Sequence, residues 1–196
     1  MLSSNTLQIL QQVWEQGEQH DQQTPVHHDK WRNITPDTGR FLYQLLRASS
    51  ARRILEIGTS NGYSTMWLAL AAGQGQGHVS SLDISADKQQ QALSNLRLIN
   101  VENQVSLLHG DAGDWLRALE ASPIDFLFLD ADRGQYVDWW PSIQRVLRPG
   151  GLVVMDNALS HVAECAPFVG LVLATPGYLA ETYPIGKGQF VILKDE

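Results

Sequence analysis

The sequence contains few of the residues that mark several common classes of protein. It has a single cysteine, Cys165, so no internal disulfide can form and nothing points to an oxidising compartment. No run of lysine or arginine occurs and the net charge is −7, which argues against nucleic-acid binding, because such binding depends on neutralising phosphates. The sequence also lacks the roughly 20 consecutive apolar residues of a membrane span and the basic and apolar regions of a signal peptide. We therefore expect a cytoplasmic protein without nucleic-acid or membrane partners.

The composition is that of a globular protein, with 43% hydrophobic and 18% charged residues in a chain of 196. We predict a single domain over residues 1–196, in which a helical segment (1–48) precedes an α/β core (49–196). The spacing of apolar residues predicts a helix over 3–16, and its many glutamines indicate a solvated outer face rather than a core helix. A second helix is expected to begin near Thr35, because Pro36 suits the first helical turn.

From residue 52 onward, short apolar runs alternate with helical stretches, a pattern typical of a parallel sheet covered on both faces. The predicted strands of this alternation are 54–57, 79–82, 105–108, 124–129 and 152–155. The predicted helices are 62–72, 85–99, 112–120, 136–147 and 161–174, and Pro149-Gly150-Gly151 is predicted to be the turn between the helix 136–147 and the strand 152–155. Two final strands, 179–183 and 189–193, are joined by a connection too short for a parallel crossover, so they form an antiparallel hairpin. The fold class is therefore α/β, with a doubly wound, mostly parallel sheet of seven strands.

A glycine-bracketed loop follows the first predicted strand, from Gly58 to Gly62. Such a loop, at the carboxyl end of the first strand, is where ligands bind in sheets of this kind. Its Gly-x-x-x-Gly spacing differs from the Gly-x-Gly-x-x-Gly that seats a pyrophosphate, which disfavours a nicotinamide cofactor. Asp83 ends the second strand, where a carboxylate can bind both hydroxyls of a ribose, and Asp111 follows the third strand.

Three oxygen-bearing side chains follow the fourth and fifth strands: Asp130, Asp156 and Asn157. Because these are neighbouring strand ends, the three groups are expected within reach of one ion. Carboxylate and amide oxygens suit magnesium, with manganese or calcium as alternatives, better than they suit zinc. Each aspartate taken alone is also typical of a strand-end turn.

The motifs ILEIGTSNGYST, SLDIS, HGDA, FLDADR, LRPGG, VVMDN and YPIGKGQFVILK resemble those of the cation-dependent O-methyltransferases that include catechol and caffeoyl-CoA O-methyltransferases. The resemblance runs from about residue 34 to residue 193. It implies a class I methyltransferase with a Rossmann-like fold, which transfers a methyl group from S-adenosylmethionine to a catechol-like small molecule. The cofactor site predicted in this way comprises Ile34, Glu56, Gly58, Thr59, Ser60, Ser64, Asp83, Ile84, Asp111, Ala112 and Asp130.

The resemblance also implies that Asp130, Asp156 and Asn157 hold magnesium, and that catalysis involves Asp130 and Arg133. The family commonly has lysine, often assigned as a base, where this chain has Arg133. A guanidinium does not lose its proton in proteins, so Arg133 cannot be a general base. It either steadies the ionised acceptor or is a surface charge.

Three other functions are compatible with parts of the pattern. They are a metal-independent class I methyltransferase with another acceptor, a non-catalytic S-adenosylmethionine-binding protein and a nicotinamide-dependent oxidoreductase. The segment between Asn157 and residue 179 is too short to wall the acceptor pocket, so we expect the cover to come from residues 31–35, from Trp139 or Trp140, or from a second subunit. The expected partners are an aromatic small-molecule acceptor and a second copy of the chain, as a homodimer.

Overall fold

A single mixed sheet forms the centre of the computed structural model, which describes residues 2–119 and 123–195. The strands run in the order β3-β2-β1-β4-β5-β7-β6. The first five pair in parallel, and β7 is antiparallel to both of its neighbours. All seven predicted strands are present, so the predicted fold class is confirmed. Their bounds are β1 Arg53–Ile57, β2 His78–Asp83, β3 Val105–His109, β4 Ile124–Leu129, β5 Leu147–Met155, β6 Tyr178–Tyr183 and β7 Gln189–Lys194.

Seven α-helices accompany the strands over the described residues, together with three short 3-10 helices at His27–Asp29, Glu102–Gln104 and Arg133–Gln135. The first helix is longer than predicted and ends at Gln23, because Pro25 forces Thr24 into an extended conformation. The bounds of the seven are α1 Ser4–Gln23, α2 Pro36–Ser49, α3 Tyr63–Gln74, α4 Ala86–Leu98, α5 Ala112–Ala118, α6 Tyr136–Val146 and α7 Val162–Leu173.

Helix α1 has the solvated outer face that its glutamines predicted, but its inner face is part of the core. Leu10 and Val13 are 1% and 2% exposed and join a buried cluster with α2 and α3. Gly17 lies so close to Asn33 that an added Cβ atom would stand 2.1 Å from the amide nitrogen of that side chain. The glutamines occupy the outer face, and composition alone could not reveal that the inner face is buried.

Strand β5 begins five residues earlier than predicted. The segment Pro149-Gly150-Gly151, which we predicted as a turn between a helix and a strand, lies within β5. There the register with β4 shifts between Ile124 and Phe126, and Gly150 has a φ of +69°, as in a β-bulge. The predicted turn is therefore an irregularity within a longer strand.

Both faces of the sheet are buried at its centre, and alternate residues of the central strand β4 belong to separate clusters. Phe126 and Phe128 pack with α1, α2 and α3, whereas Leu127 and Leu129 pack with α6 and α7. A ligand can therefore reach the centre of this sheet only from the strand ends. Within the ranges 2–119 and 123–195, no helix is both long enough and apolar enough to cross a bilayer.

Candidate active site

A cavity of about 720 Å³ opens at the carboxyl end of the sheet. It lies where β1 is flanked by β2 on one side and β4 on the other, so that the strand order reverses. In open α/β sheets this switch point is where ligands bind, and the volume is typical of a small-molecule site. The cavity wall includes Asp83, Asp130, Arg133 and Asn157, which come from the ends of three strands and from a 3-10 helix.

The loop from Gly58 to Gly62 passes very close to neighbouring backbone. Gly58 has a φ of +106°, and an added Cβ atom would stand 2.1 Å from the carbonyl oxygen of Asp130. Gly62 has a φ of +83°, and its Cβ atom would stand 2.8 Å from that of Ala92. Both glycines are required by the packing of the protein itself, in addition to any ligand that approaches the loop.

Asp83 presents an anchored carboxylate to the cavity. Its Oδ2 accepts the backbone N–H of Ser60 and its Oδ1 accepts that of Ser85, each at 2.8 Å. Each carboxylate oxygen keeps further lone pairs that a ligand hydroxyl can use. The adjacent Ile84 also lines the cavity and is 74% exposed, an apolar surface suited to a flat ring.

Most of the other predicted cofactor residues also line the cavity. Asp111 caps helix α5, because its side chain accepts the backbone N–H of Asp114 at 2.9 Å, and it also reaches the cavity wall. Ile34 is only 2% exposed but contributes to the wall from the N-terminal side. The remaining lining residues of the predicted set, apart from those described above, are Thr59, Ser60, Ser64, Ala112 and Asp130.

Glu56 is the one predicted cofactor residue that does not line the cavity. Its carboxylate is fully buried and accepts three hydroxyl hydrogen bonds at 2.5 Å each, from Ser64, Thr65 and Ser81. Burial raises the pKa of Glu56 to about 7, although the three donors lower it. The side chain reaches the cavity only through Ser64, so this geometry makes it a support for the loop.

Residues 30–34, which we call the cover segment, close the cavity on its N-terminal side. Asp21, near the end of α1, accepts the backbone N–H groups of Trp31 and Arg32, each at 2.7 Å. The indole of Trp31 stacks on the His20 ring with centroids 3.9 Å apart. Three side chains from other elements donate to carbonyl oxygens of the same segment: Lys88 to Lys30, Ser60 to Trp31 and Lys187 to Asn33.

The structure brings Asp130, Asp156 and Asn157 together as predicted from their strand ends. The amide nitrogen of Asn157 donates to Oδ1 of Asp130 at 2.9 Å. Asp156 is 2% exposed, lies behind the cavity wall and accepts a hydrogen bond from the amide of Gln189. Burial, followed by the negative charge of Asp156, raises the pKa of Asp130 to about 8, and burial also raises the pKa of Asp156.

These three residues suit a hard divalent cation. Two buried carboxylates that raise each other's cost of ionisation are stabilised when a cation lies between them. Rotation of the Asn157 side-chain amide by 180° would direct its oxygen, instead of its nitrogen, toward Asp130 and an ion held there. No group of three His, Cys, Asp or Glu side chains able to hold a metal occurs in residues 2–119 and 123–195, so an ion here depends on the Asn157 oxygen.

Arg133 is a paired residue of the cavity wall. Its Nε and Nη2 both bond Oε2 of Glu164, at 2.9 and 2.8 Å, and its side chain is only 16% exposed. It is therefore not a free surface charge, and Glu164 neutralises much of its charge. Of the two tryptophans considered as a cover, Trp139 lines the cavity, whereas Trp140 packs on Tyr178 in the core.

Sequence reasoning did not single out four residues at this edge of the cavity: His161, Glu164, Lys187 and Gln189. Three of them line the cavity, and Gln189 contacts Asp156. Lys187 and Gln189 belong to the YPIGKGQ stretch, which was used to predict the hairpin and as one motif of the family resemblance, but not as part of the site. That stretch did contain a signal of a functional site, because two glycines flank a lysine in the tight connection between two strands.

A doubly wound sheet of this order, with a loop after β1 that faces a cavity at the switch point, defines a Rossmann-like methyltransferase fold. The sequence model of the family described as O-methyltransferase matches residues 2–167. The chain therefore belongs to the O-methyltransferase family.

Individual relatives and solved structures agree with this assignment. A catechol O-methyltransferase of Mycobacterium tuberculosis is 38% identical over 126 residues, which are 64% of this chain and 57% of that protein. The chain thus spans less than two thirds of that relative's length. Among solved structures, the O-methyltransferase TomG of Streptomyces achromogenes, in complex with SAM, has a TM-score of 0.81 and 25% identity over 96% of this chain and 90% of its own. An O-methyltransferase of Bacillus cereus, in complex with SAH, has a TM-score of 0.79 and 28% identity over 95% and 91% of the two chains.

Proposed function

We propose that this protein transfers a methyl group from S-adenosylmethionine to one hydroxyl of a catechol-like aromatic small molecule, with a divalent cation at Asp130, Asp156 and Asn157. One observation carries the proposal. Asp130 and Asn157 meet in the wall of the same cavity as the loop from Gly58 to Gly62, and the buried Asp156 lies behind them. The solved relatives named with SAM and SAH, and the catechol O-methyltransferase relative, support it.

The chain's own residues would hold the methyl donor on the β1–β2 side of the cavity. The free lone pairs of Asp83 suit the two hydroxyls of a ribose, and exposed Ile84 suits an adenine ring. The part of the cavity beside the Gly58 loop leaves room for the rest of the donor. The donor's methyl sulfonium is already electrophilic, so the protein has only to align it with an acceptor oxygen.

The acceptor would lie on the β4–β5 side of the cavity. A bound divalent cation supplies Lewis acidity that lowers the pKa of an acceptor hydroxyl and orients two vicinal oxygens. Asp130, Asp156 and Asn157 would hold that ion, while the Arg133–Glu164 pair walls the acceptor. Alignment of the two reactants can contribute roughly 7–11 kcal/mol to the lowering of the barrier.

Methyl transfer to a panel of vicinal dihydroxy aromatics, measured with and without a chelator, tests the proposal. We expect transfer that requires a divalent cation and two adjacent hydroxyls. Transfer that persists in the chelator would identify a metal-independent methyltransferase instead. Binding of S-adenosylmethionine without any product would identify a non-catalytic binding protein.

Variants of the ion residues sharpen this test. Asp156→Asn and Asn157→Ala should each abolish cation-stimulated transfer and leave the affinity for S-adenosylmethionine within about threefold, because neither side chain lies on the donor side. Asp138→Asn, an exposed carboxylate in the first turn of α6, is the matched control and should behave as wild type. Wild-type activity of both ion variants in the presence of chelator would rule out the metal mechanism.

A further inference from the structure

A lysine in the hairpin between β6 and β7 is rigidly placed beside the predicted ion residues. The carbonyl oxygen of Lys187 accepts the backbone N–H groups of Leu159 and Ser160, each at 3.0 Å, which fixes the hairpin against the loop that follows Asn157. Gly188 has a φ of +93°, and an added Cβ atom would stand 2.5 Å from the nitrogen of Leu159. The backbone at Lys187 therefore has little freedom to move away.

The Lys187 side chain is directed into the cavity. Its Nζ donates to the carbonyl oxygen of Asn33 at 3.3 Å, and the residue is half-buried in the cavity wall. Its positive charge acts on both Asp130 and Asp156, where it opposes the effect of burial on the pKa of each carboxyl. Over the part of the chain that the structure describes, no carboxylate oxygen lies within 4.0 Å of this ammonium group.

Lys187 differs in this respect from Arg133, the other cation at this end of the cavity, whose guanidinium is paired with Glu164. A divalent cation would balance the two charges of Asp130 and Asp156. Lys187 then leaves one uncompensated positive charge at the buried end of the cavity. Such a site favours an acceptor that carries one negative charge.

We propose that Lys187 supplies the positive charge that binds the acceptor in its singly ionised form. The inference rests on the proposed function and names a catalytic residue for it. The acceptor proton leaves to solvent when the acceptor binds. In the transfer, an electron pair of the acceptor oxygen forms the new bond to the methyl carbon, and the electrons of the carbon–sulfur bond return to sulfur. Lys187 holds the oxygen anion until that bond forms, while Arg133 stabilises the wall.

Binding of two acceptors that differ in acidity tests the inference. Catechol is neutral at neutral pH, whereas 4-nitrocatechol is largely a single anion. Dissociation constants for both are measured by calorimetry in the presence of Mn²⁺, for wild type, Lys187→Met and Lys187→Arg. Arg97→Met, which removes an exposed positive charge from the last turn of α4, is the control for net charge.

We expect Lys187→Met to weaken the binding of 4-nitrocatechol by about 10-fold or more, the scale of a hydrogen bond to a charged group. Catechol binding should change far less. Lys187→Arg should keep the preference for the anion, and Arg97→Met should not alter it. In the absence of acceptor, Lys187→Met should bind Mn²⁺ as tightly as wild type or more tightly, because a like charge has been removed.

In Lys187→Met, weaker binding of 4-nitrocatechol together with unchanged or tighter binding of Mn²⁺ would distinguish the loss of a charge from damage to the structure. Equal losses for both acceptors, or weaker Mn²⁺ binding in Lys187→Met, would overturn the assignment of Lys187. If Lys187→Arg loses the preference as fully as Lys187→Met does, positive charge is not what matters and the inference also fails. Failure of the proposed function looks different, because wild-type protein would then bind neither Mn²⁺ nor either acceptor.

Discussion

At the scale of single residues, the buried carboxylates differ in how completely their oxygens are satisfied. Glu56 accepts three hydroxyl hydrogen bonds and so has no need of a further cation. Asp130 accepts a hydrogen bond from the side-chain amide of Asn157 and Asp156 accepts one from that of Gln189, while the two carboxylates repel each other. The first arrangement stabilises a loop, whereas the second suits a cation.

The raised pKa of Glu56 predicts a pH dependence of stability. Because this carboxyl holds its proton more tightly in the folded chain than in the unfolded one, folding is favoured below its unfolded pKa. The free energy of unfolding should therefore fall as the pH rises from about 4.5 to about 7. In Glu56→Gln the fall in the free energy of unfolding over this pH range should be smaller than in wild type by about 3 kcal/mol. Urea unfolding at a series of pH values measures it, with exposed Glu15→Gln as the control. Parallel pH profiles for Glu56→Gln and wild type would contradict the prediction.

Asp83 is expected to contribute directly to binding of the methyl donor. Asp83→Ala removes the carboxylate that faces the cavity and also frees the backbone N–H groups of Ser60 and Ser85. We expect the affinity for S-adenosylmethionine to fall by about 1.5–3 kcal/mol, the scale of hydrogen bonds to a charged group. Calorimetry measures the change, and an unchanged dissociation constant would remove Asp83 from the site.

At the scale of elements, the cover segment is held in place by side chains from four other parts of the fold. Its backbone groups bond Asp21 of α1, Ser60 of the loop after β1, Lys88 of α4 and Lys187 of the hairpin. Because none of these bonds belongs to a helix or a sheet, the position of the segment depends on individual side chains. Changes in these side chains should therefore affect ligand binding more than overall stability.

Asp21 offers the clearest test of this dependence, since it alone accepts two of the backbone hydrogen bonds. Asp21→Ala should raise the acceptor KM by roughly 10-fold through a looser cover segment. The melting temperature should stay within a few degrees of the wild-type value. The control is Asp29→Ala, which removes an exposed carboxylate bonded to the adjacent His28. An unchanged KM together with a large loss of stability would show that Asp21 serves the fold instead.

At the scale of the whole molecule, the N-terminal helices and the sheet share one buried cluster. Leu10 and Val13 of α1 pack with Leu42 of α2, with Trp67 of α3 and with Phe128 at the centre of the sheet. The wall of the cavity depends on the same packing, because the cover segment follows directly from α1. Stability and ligand binding are therefore coupled through this helix.

Substitutions of two leucines in α1, one buried and one exposed, test how much this helix contributes to the stability of the core. Leu10 is 1% exposed and Leu7 is 39% exposed. Leu10→Ala should lower the free energy of unfolding by about 2–5 kcal/mol, because it leaves a cavity in the shared cluster. Leu7→Ala should cost less than about 1 kcal/mol. Equal effects of the two changes in urea unfolding would show that α1 contributes little to the core.

Local sequence patterns determined the kinds of element and their order. Apolar runs and helical spacing act over a few residues, so all seven strands and the terminal hairpin could be predicted. The meeting of Asp130 with Asp156 and Asn157 could also be predicted, because the carboxyl ends of neighbouring parallel strands share one edge of a sheet. Glycine spacing located the loop after β1, since its backbone must pass close to other groups.

Only the tertiary structure decided which distant side chains meet. Lys187 bonds Asn33 across 154 positions of sequence, and Arg133 pairs with Glu164 across 31. Such contacts depend on the rotation of each helix about its axis and on which strands lie side by side, and neither is encoded in a local pattern. The same reason explains why the burial of the inner face of α1 was not predicted and why Glu56, adjacent to the glycine loop in sequence, lies behind the cavity wall. Burial and the balance of charge in the site follow from packing between elements, and these set the chemistry that the site can perform.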